Sequence, residues 1–289
     1  MDIKKIAVVG AGLMGGGISQ VSAQSGYSVV MIDVSEEQLE KAVKAVSWSL
    51  GKLIEKGKVE GNREEILSRI KPTTRFEEAE NVDFVVEAVF EDKNLKKQVF
   101  EKLDGVVRER AVLATNTSAI PVTEMASATK RPDRVVGTHF FSPVPLMQVV
   151  EVVRGVSTSD ETVETARNYV KSLGKEAITV NRDIAGFLLN RINMPSNVEA
   201  MRMLEMGVAT AEDIDRGMRL GFGRAMGPFE TGDMVGLDVT YGALMAIYEE
   251  TKDPKFHPPV ILQRKVRAGH LGRKAGKGWY EYDEDGKRK

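Results

Sequence analysis

The sequence contains no cysteine and few histidines, and several protein classes can be excluded at once. Without cysteine there is neither a disulfide framework nor a thiol nucleophile, which fits a cytoplasmic protein. No segment approaches the roughly 20 consecutive apolar residues that a membrane-spanning helix needs. Met1 to Lys5 leads directly into a predicted strand, which leaves no room for a signal peptide. The formal net charge of −1 does not point to nucleic acid or to an acidic membrane surface as a partner.

The scarcity of histidine makes each one easy to assess. His257 lies in a proline-rich loop and His270 lies between glycines, so both are predicted to be solvent-facing or capping residues. No metal-ligand spacing joins them to each other or to His139, and the sequence predicts no metal site. His139 remains as the candidate for proton transfer.

The strongest motif lies at the start of the chain. An apolar run, Lys5 to Val9, leads into a segment of the form G-x-G-x-x-G, followed by a helical pattern, a second apolar run and Asp33. In this order the glycines allow a tight turn, close approach of a pyrophosphate and close packing of helix on strand. Asp33 is placed to accept both hydroxyls of an adenosine ribose and would repel a 2′-phosphate, which favours NAD over NADP. The predicted cofactor contacts here are Gly10, Gly12, Leu13, Met14, Gly15 and Asp33.

Strand and helix patterns alternate through residues 1–183, which we predict to be an NAD-binding domain. The alternation predicts a Rossmann-like, doubly wound α/β sheet, mostly parallel with an antiparallel edge. A helix over 63–70 belongs to this pattern. Ligands bind such sheets at the carboxyl ends of strands. The polar residues at or just beyond those ends are Glu87, Glu91, Asn116 and Ser118.

Residues 184–289 carry helical patterns with hardly any strand signal, and we predict an all-α domain. Helices are expected over 184–206, 210–220, 236–250 and 259–268, with a glycine-rich loop at 221–228. Helices this apolar must bury more than one side. We therefore expect a homodimer formed through this domain.

His139 and Glu151 lie on the two predicted strands that flank a proline-containing turn. In an antiparallel hairpin centred near Pro145 they would stand directly opposite each other, with Cβ atoms ~5 Å apart. The carboxylate would then hold one imidazole nitrogen and leave the other free as a general base. The alternative is a buried pair that only satisfies itself. Asn190, on an apolar helix, is either a cleft residue facing His139 or part of a helix–helix hydrogen bond.

The chain resembles the 3-hydroxyacyl-CoA dehydrogenase family in its short two-domain form, and is most similar to 3-hydroxybutyryl-CoA dehydrogenases. The motifs that carry the resemblance occur along nearly the whole chain. They are residues 10–15, Val85-Val86-Glu87-Ala88, Asn116-Thr117-Ser118, His139-Phe140-Phe141-Ser142-Pro143, Gly186-Phe187-Leu188-Leu189-Asn190-Arg191, Gly227-Pro228-Phe229-Glu230 and Gly276-Lys277-Gly278-Trp279-Tyr280. One departure is Ser142, where relatives commonly have asparagine, and its effect on cofactor binding stays open.

The resemblance implies a reaction and a set of site residues. The reaction is the reversible, NAD-dependent oxidation of an (S)-3-hydroxyacyl-CoA to the 3-ketoacyl-CoA, a step of fatty acid metabolism. His139 would be the catalytic base paired with Glu151, and Ser118 and Asn190 would bind the reacting oxygen. Further implied contacts are Glu91, Lys96, Asn116, Ser118 and Lys274 for the cofactor, and Ser49, Lys56 and Ser118 for the coenzyme A substrate.

Two other functions remain open at the level of sequence. A dehydrogenase of free hydroxyacids, of the 3-hydroxyisobutyrate or 6-phosphogluconate type, would call for a lysine on the helix that carries Asn190, and Ile184 to Met201 contains none. A non-catalytic NAD-binding protein would bind NADH without turnover.

Overall fold

Alternating apolar runs in the first part of the chain form one eight-stranded sheet. The structure, a computed structural model, describes residues 3–289. The sheet order is β3-β2-β1-β4-β5-β6-β7-β8. Strands β1 to β6 are parallel, and β7 and β8 run in the opposite direction, parallel to each other. The strands are β1 Lys5–Val9, β2 Ser28–Ile32, β3 Ile70–Thr73, β4 Phe84–Glu87, β5 Val112–Thr115, β6 Val135–Phe140, β7 Val149–Val153 and β8 Glu176–Val180. The predicted Rossmann-like sheet with an antiparallel edge is confirmed.

Helices cover both faces of this sheet, so its central strands are apolar on both sides. On one face Ile18, Leu39 and Val46 pack against β1 and β2. On the other face Phe100 and Leu103 pack against β4 and β5. The helices are α1 Leu13–Gln24, α2 Glu36–Glu55, α3 Arg63–Ser68, α4 Lys93–Val106, α5 Val122–Ala126 and α6 Asp160–Ser172.

The short edge strand β3 was not predicted, and the helix expected over 63–70 ends at Ser68. Strand β3 holds Lys71 and Pro72, with only Ile70 buried, so it lacks the apolar run that marks the other strands. Proline is compatible with this position because an edge strand leaves one row of N–H groups unpaired.

The chain divides into two units, Met1–Phe187 and Leu188–Lys289, whereas the sequence analysis placed the boundary after residue 183. The second unit is helical, as predicted. Its helices are α7 Leu189–Glu205, α8 Ala211–Phe222, α9 Pro228–Val235, α10 Leu237–Thr251 and α11 Val260–Arg267. No helix within residues 3–289 combines the length and apolar character that crossing a bilayer requires.

Two details of these helices differ from the prediction. Helix α7 begins at Leu189 instead of Ile184, because Gly186 and Phe187 take positive φ angles of 74° and 47°. Pro228, expected in a loop, is the first residue of α9. Proline suits that position because the first helical N–H has no partner within the helix.

Two buried aspartates on the helices of the second unit accept hydrogen bonds from the C-terminal segment, residues 279–282. The Asp233 carboxylate accepts hydrogen bonds from the N–H groups of Trp279 and Tyr280 at 2.8 and 2.9 Å, and from the Tyr282 hydroxyl at 2.9 Å. Asp215 accepts from the Tyr280 hydroxyl at 2.7 Å. Burial and the hydrogen bond to Asp233 raise the pKa of Tyr282 to about 12. The segment is therefore an integral part of this unit.

Candidate active site

The glycine-rich turn between β1 and α1 has no room for side chains at two positions and open space at a third. Gly10 has a φ of +100°, and a Cβ there would lie 2.5 Å from the carbonyl oxygen of Ala88. A Cβ on Gly15 would lie 1.8 Å from the carbonyl oxygen of Gly10. A Cβ on Gly12 would meet nothing within 4 Å. These clearances fit a tight turn at Gly10, close packing at Gly15 and open space for a ligand at Gly12, and the cofactor contacts of the three glycines stay predictions.

The start of α1 is suited to an anion. Gly12 is the N-cap and offers no side-chain cap, and the first turn contains no acidic residue. The N–H groups of a first helical turn have no partners within the helix, and the helix dipole favours negative charge there. Leu13 is exposed at this point, and Met14 packs partly into the core. This arrangement fits the pyrophosphate of a dinucleotide.

Asp33 stands across the glycine turn at the carboxyl end of β2. Its Oδ2 accepts a hydrogen bond from the Ala11 N–H at 2.8 Å, and its Oδ1 accepts from the Ser35 N–H at 3.1 Å. The Gln38 side chain donates to the Ala11 carbonyl at 2.9 Å. The turn and the carboxylate are therefore held together by hydrogen bonds within the chain, in the position expected for recognition of the adenosine ribose.

His139 and Glu151 form the predicted pair. They are register partners on the antiparallel strands β6 and β7. The His139 Nδ1 lies 2.6 Å from the Glu151 Oε2, and both side chains are buried. A carboxylate can only accept here, so the pair fixes a proton on Nδ1 and leaves Nε2 as the acceptor of the neutral ring. Phe141 and Phe187 pack against the imidazole at ring centroid distances of 4.5 and 5.6 Å.

The end of the neighbouring strand β5 is tied to β6 through Asn116. The Asn116 Oδ1 accepts a hydrogen bond from the Phe140 N–H at 2.9 Å, directly after His139 in the chain. Ser118 follows in a partly buried position, and its N–H and its hydroxyl donate to the Glu91 Oε1 at 2.9 and 3.4 Å. The structure thus gathers Asn116, Ser118 and Glu91 at the carboxyl edge of the sheet that also bears His139.

A buried ion pair supports the same edge. The Lys96 Nζ lies 2.7 Å from the Glu87 Oε1 and 3.3 Å from the Glu91 Oε2. Burial opposes ionisation of Glu91, but Lys96 and hydrogen bonds from Thr117, Ser118 and Ala119 outweigh it, and the pKa of Glu91 lies below its usual value. Glu91 is therefore a carboxylate at neutral pH.

The remaining predicted residues lie elsewhere in their units. Ser49 and Lys56 are on α2 and at its C-terminal end, with Lys56 exposed. Asn190 is in the first turn of α7. Lys274 pairs with Asp238 at 2.7 Å within the second unit. The roles of these four residues stay predictions.

The comparisons with known proteins match both units. Residues 5–184 match the family described as 3-hydroxyacyl-CoA dehydrogenase, NAD binding domain, and residues 186–282 match its C-terminal domain. The chain belongs to the 3-hydroxyacyl-CoA dehydrogenase family. It is an NAD-binding oxidoreductase, and the glycine turn, the uncapped start of α1 and Asp33 are the features of this structure that fit the cofactor.

Relatives in this family extend over nearly the whole chain. A protein from Deinococcus radiodurans named probable 3-hydroxybutyryl-CoA dehydrogenase is 44% identical over 96% of this chain and 100% of its own. The 3-hydroxybutyryl-CoA dehydrogenase of Clostridioides difficile is 42% identical, covering 97% and 100%. Among solved structures, FadB2 of M. tuberculosis has a TM-score of 0.95 at 39% identity, covering 98% of this chain and 100% of its own. The (S)-3-hydroxybutyryl-CoA dehydrogenase PaaH1 of Ralstonia eutropha has a TM-score of 0.92 at 42% identity, with the same coverage.

Sequence reasoning gave no role to Glu87. Its side chain is fully buried and also accepts hydrogen bonds from the Thr115 hydroxyl at 2.7 Å and the Val89 N–H at 2.8 Å. The available signal was a single carboxylate inside the apolar run Phe84 to Val89, because a buried charge requires a partner. Lys96, nine residues later, could not be identified as that partner without the fold.

Proposed function

We propose that this protein catalyses the reversible, NAD-dependent oxidation of (S)-3-hydroxyacyl-CoA, with 3-hydroxybutyryl-CoA as the expected substrate, to the 3-ketoacyl-CoA. The observation that carries the proposal is the buried His139–Glu151 pair, 2.6 Å apart, on a strand whose carboxyl end lies at the cofactor edge of the sheet. The names of the full-length relatives support the substrate class.

His139 is the proposed general base. With Nδ1 held by Glu151, its Nε2 can take the proton of the substrate hydroxyl, and the buried carboxylate stabilises the imidazolium that forms. When NAD is bound, its nicotinamide accepts the hydride that leaves the same carbon. In the reverse direction the imidazolium returns the proton to the carbonyl oxygen.

Ser118 is proposed to donate a hydrogen bond to the reacting oxygen as it becomes a carbonyl. Its backbone N–H and its hydroxyl both donate to the Glu91 Oε1, at 2.9 and 3.4 Å, so the hydroxyl would exchange this long hydrogen bond for one to the substrate. Asn190 is proposed to bind the same oxygen, an assignment that rests on the family resemblance. Ser49 and Lys56 are likewise the proposed contacts of the coenzyme A portion, where an ammonium suits a phosphate.

The deciding assay follows NADH oxidation with acetoacetyl-CoA, repeated with NADPH and with free acetoacetate. We expect turnover with the thioester and NADH, and little with NADPH because of Asp33. Turnover of the free acid alone would favour the hydroxyacid dehydrogenases, although α7 contains no lysine. NADH binding without any turnover would indicate a non-catalytic protein.

We further propose that the protein is a homodimer formed through its helical unit. Large apolar side chains are exposed on its helices, among them Ile192 on α7, Leu220 and Phe222 on α8, and Val239 on α10. Exposed apolar surface of this kind marks association sites. Light scattering after size exclusion should give twice the chain mass of 31.8 kDa, and the mass of one chain would contradict the proposal.

A further inference from the structure

The charged side chains around Lys96 at the carboxyl edge of the sheet carry more negative than positive charge. We define the acidic cluster as Glu87, Glu91 and Lys96, with two carboxylates and one ammonium. Glu87 is fully buried and Lys96 is 1% exposed, so solvent screens them weakly. The hydrogen bonds from Thr115 and Val89 hold the Glu87 carboxylate in place. The cluster therefore places one fixed negative charge at this edge.

The strand order locates this charge relative to a bound dinucleotide. Asp33, at the end of β2, marks the adenosine side, and the glycine turn after β1 marks the pyrophosphate. In the sheet order β2-β1-β4-β5-β6, the cofactor then continues over β4 and β5 toward His139 on β6. Glu87 ends β4, and Glu91 holds the loop that follows β5. The acidic cluster thus lies on the nicotinamide side of the site.

The two redox states of the cofactor differ in charge at the nicotinamide. The ring is cationic in NAD+ and neutral in NADH, whereas the rest of the molecule is the same in both. A fixed charge beside the ring therefore acts almost entirely on the difference between the two affinities. We propose that the acidic cluster, through the excess charge contributed by Glu87, favours binding of NAD+ relative to NADH.

This preference has a consequence for the reaction on the enzyme. Stabilising NAD+ relative to NADH makes bound NADH a stronger hydride donor, so the equilibrium between bound species moves toward the hydroxyacyl thioester. Glu87 is thus a positioning residue for Lys96 and also a source of the local potential. The inference rests on the proposed function only for where the nicotinamide lies.

The test is the ratio of the dissociation constants for NAD+ and NADH, measured on the full chain without any acyl-CoA. Calorimetry gives both dissociation constants, and NADH fluorescence gives an independent value of the constant for NADH. Glu87→Gln removes the charge and keeps the oxygen that accepts from Lys96 and Val89, while its amide group can donate to the Thr115 hydroxyl, which then accepts. A unit charge ~10 Å from the nicotinamide ring, at an effective dielectric constant of 20 to 40, changes the dissociation constant of the cationic NAD+ by about 4- to 16-fold. We expect the ratio Kd(NAD+)/Kd(NADH) to rise by that amount.

Glu124→Gln is the matched control, because it removes one carboxylate that pairs with Lys93 and Lys97 at the surface, at 2.6 and 2.8 Å. Its ratio should stay within twofold of that of the unaltered protein. A merely structural role of Glu87 would weaken both cofactors equally. An unchanged ratio in a folded Glu87→Gln variant would therefore overturn the proposal.

A second pair of variants keeps the test decisive if Glu87→Gln does not fold. Glu91→Gln removes a charge of the same cluster from a half-exposed side chain and should raise the ratio in the same direction. Thr115→Val removes a hydrogen bond to Glu87 without changing charge and should leave the ratio unchanged. An unchanged ratio in Glu91→Gln would also overturn the proposal. Loss of turnover on acetoacetyl-CoA would count against the proposed function alone, since no substrate enters these titrations.

Discussion

Replacing Glu151 by glutamine tests whether the buried carboxylate acts in proton transfer. The structure gives one short hydrogen bond, 2.6 Å from the His139 Nδ1, with both partners buried. A hydrogen bond to a charged group contributes about 1.5–3 kcal/mol. Since ~1.36 kcal/mol corresponds to a factor of ten in rate, its loss in the transition state lowers kcat by about 10- to 150-fold. The glutamine amide can also donate to Nδ1, which moves the ring proton to Nε2, and that wrong tautomer extends the loss toward ~10⁴-fold.

The assay is steady-state NADH oxidation with acetoacetyl-CoA, accompanied by NADH titration and a thermal melt. The NADH dissociation constant should stay unchanged because Glu151 lies on β7, away from the glycine turn. Glu176→Gln is the control, since it removes an exposed carboxylate from the adjacent strand β8. A folded Glu151→Gln variant with kcat within threefold of the unaltered protein would refute the assignment of His139 and Glu151.

Three further outcomes follow from contacts described above. Gly15→Ala should lower the melting temperature, because its Cβ would lie 1.8 Å from the Gly10 oxygen. Gly12→Ala should keep the melting temperature of the unaltered protein but weaken NADH binding at least tenfold, because its Cβ would point into the open space of the proposed cofactor site. Equal melting temperatures of the two variants would contradict this prediction. The lowered pKa of Glu91 means that its carboxylate stabilises the fold above about pH 4.5 and that this contribution is lost as the pH falls through the folded-state pKa. The difference in melting temperature between the unaltered protein and Glu91→Gln should therefore be larger at pH 7 than at pH 3, and a difference independent of pH would disprove it. Asp233→Asn should lower the free energy of unfolding in urea by about 1–3 kcal/mol, because one buried donor loses its acceptor, with the exposed Asp285→Asn as the neutral control.

The His139–Glu151 pair could be predicted because it depends on local geometry. The two residues lie on consecutive strands joined by a short turn, and alternation along a strand fixes which side chains share a face. The order of strand, glycine turn, helix, strand and acid likewise allowed the cofactor loop to be predicted from the sequence. Both features follow from the sequence over short distances.

The features that sequence reasoning missed depend on contacts between distant segments or on weak local signals. The pairing of Glu87 with Lys96 requires α4 to pack beside β4, which no periodicity reveals. Strand β3 has one buried residue and a proline, so its pairing with β2 alone makes it a strand. The first five residues of the expected helix from Ile184 are excluded by the backbone at Gly186 and Phe187. The roles of Asn190 and Lys274 also stay predictions, because they would depend on contacts with distant segments or ligands.

The location of His139 and Glu151, the two side chains proposed to handle the proton, on neighbouring strands bears on how such an enzyme can diversify. Imidazole and carboxylate are encoded within a stretch of 13 residues, since they are 12 positions apart, and the backbone ladder of β6 and β7 aligns them. A recombination event that exchanged everything after Phe187 for the corresponding part of a relative would leave this pair of residues untouched, although it would replace Asn190. Different C-terminal units would then be combined with the same His139–Glu151 pair, which each product would inherit intact.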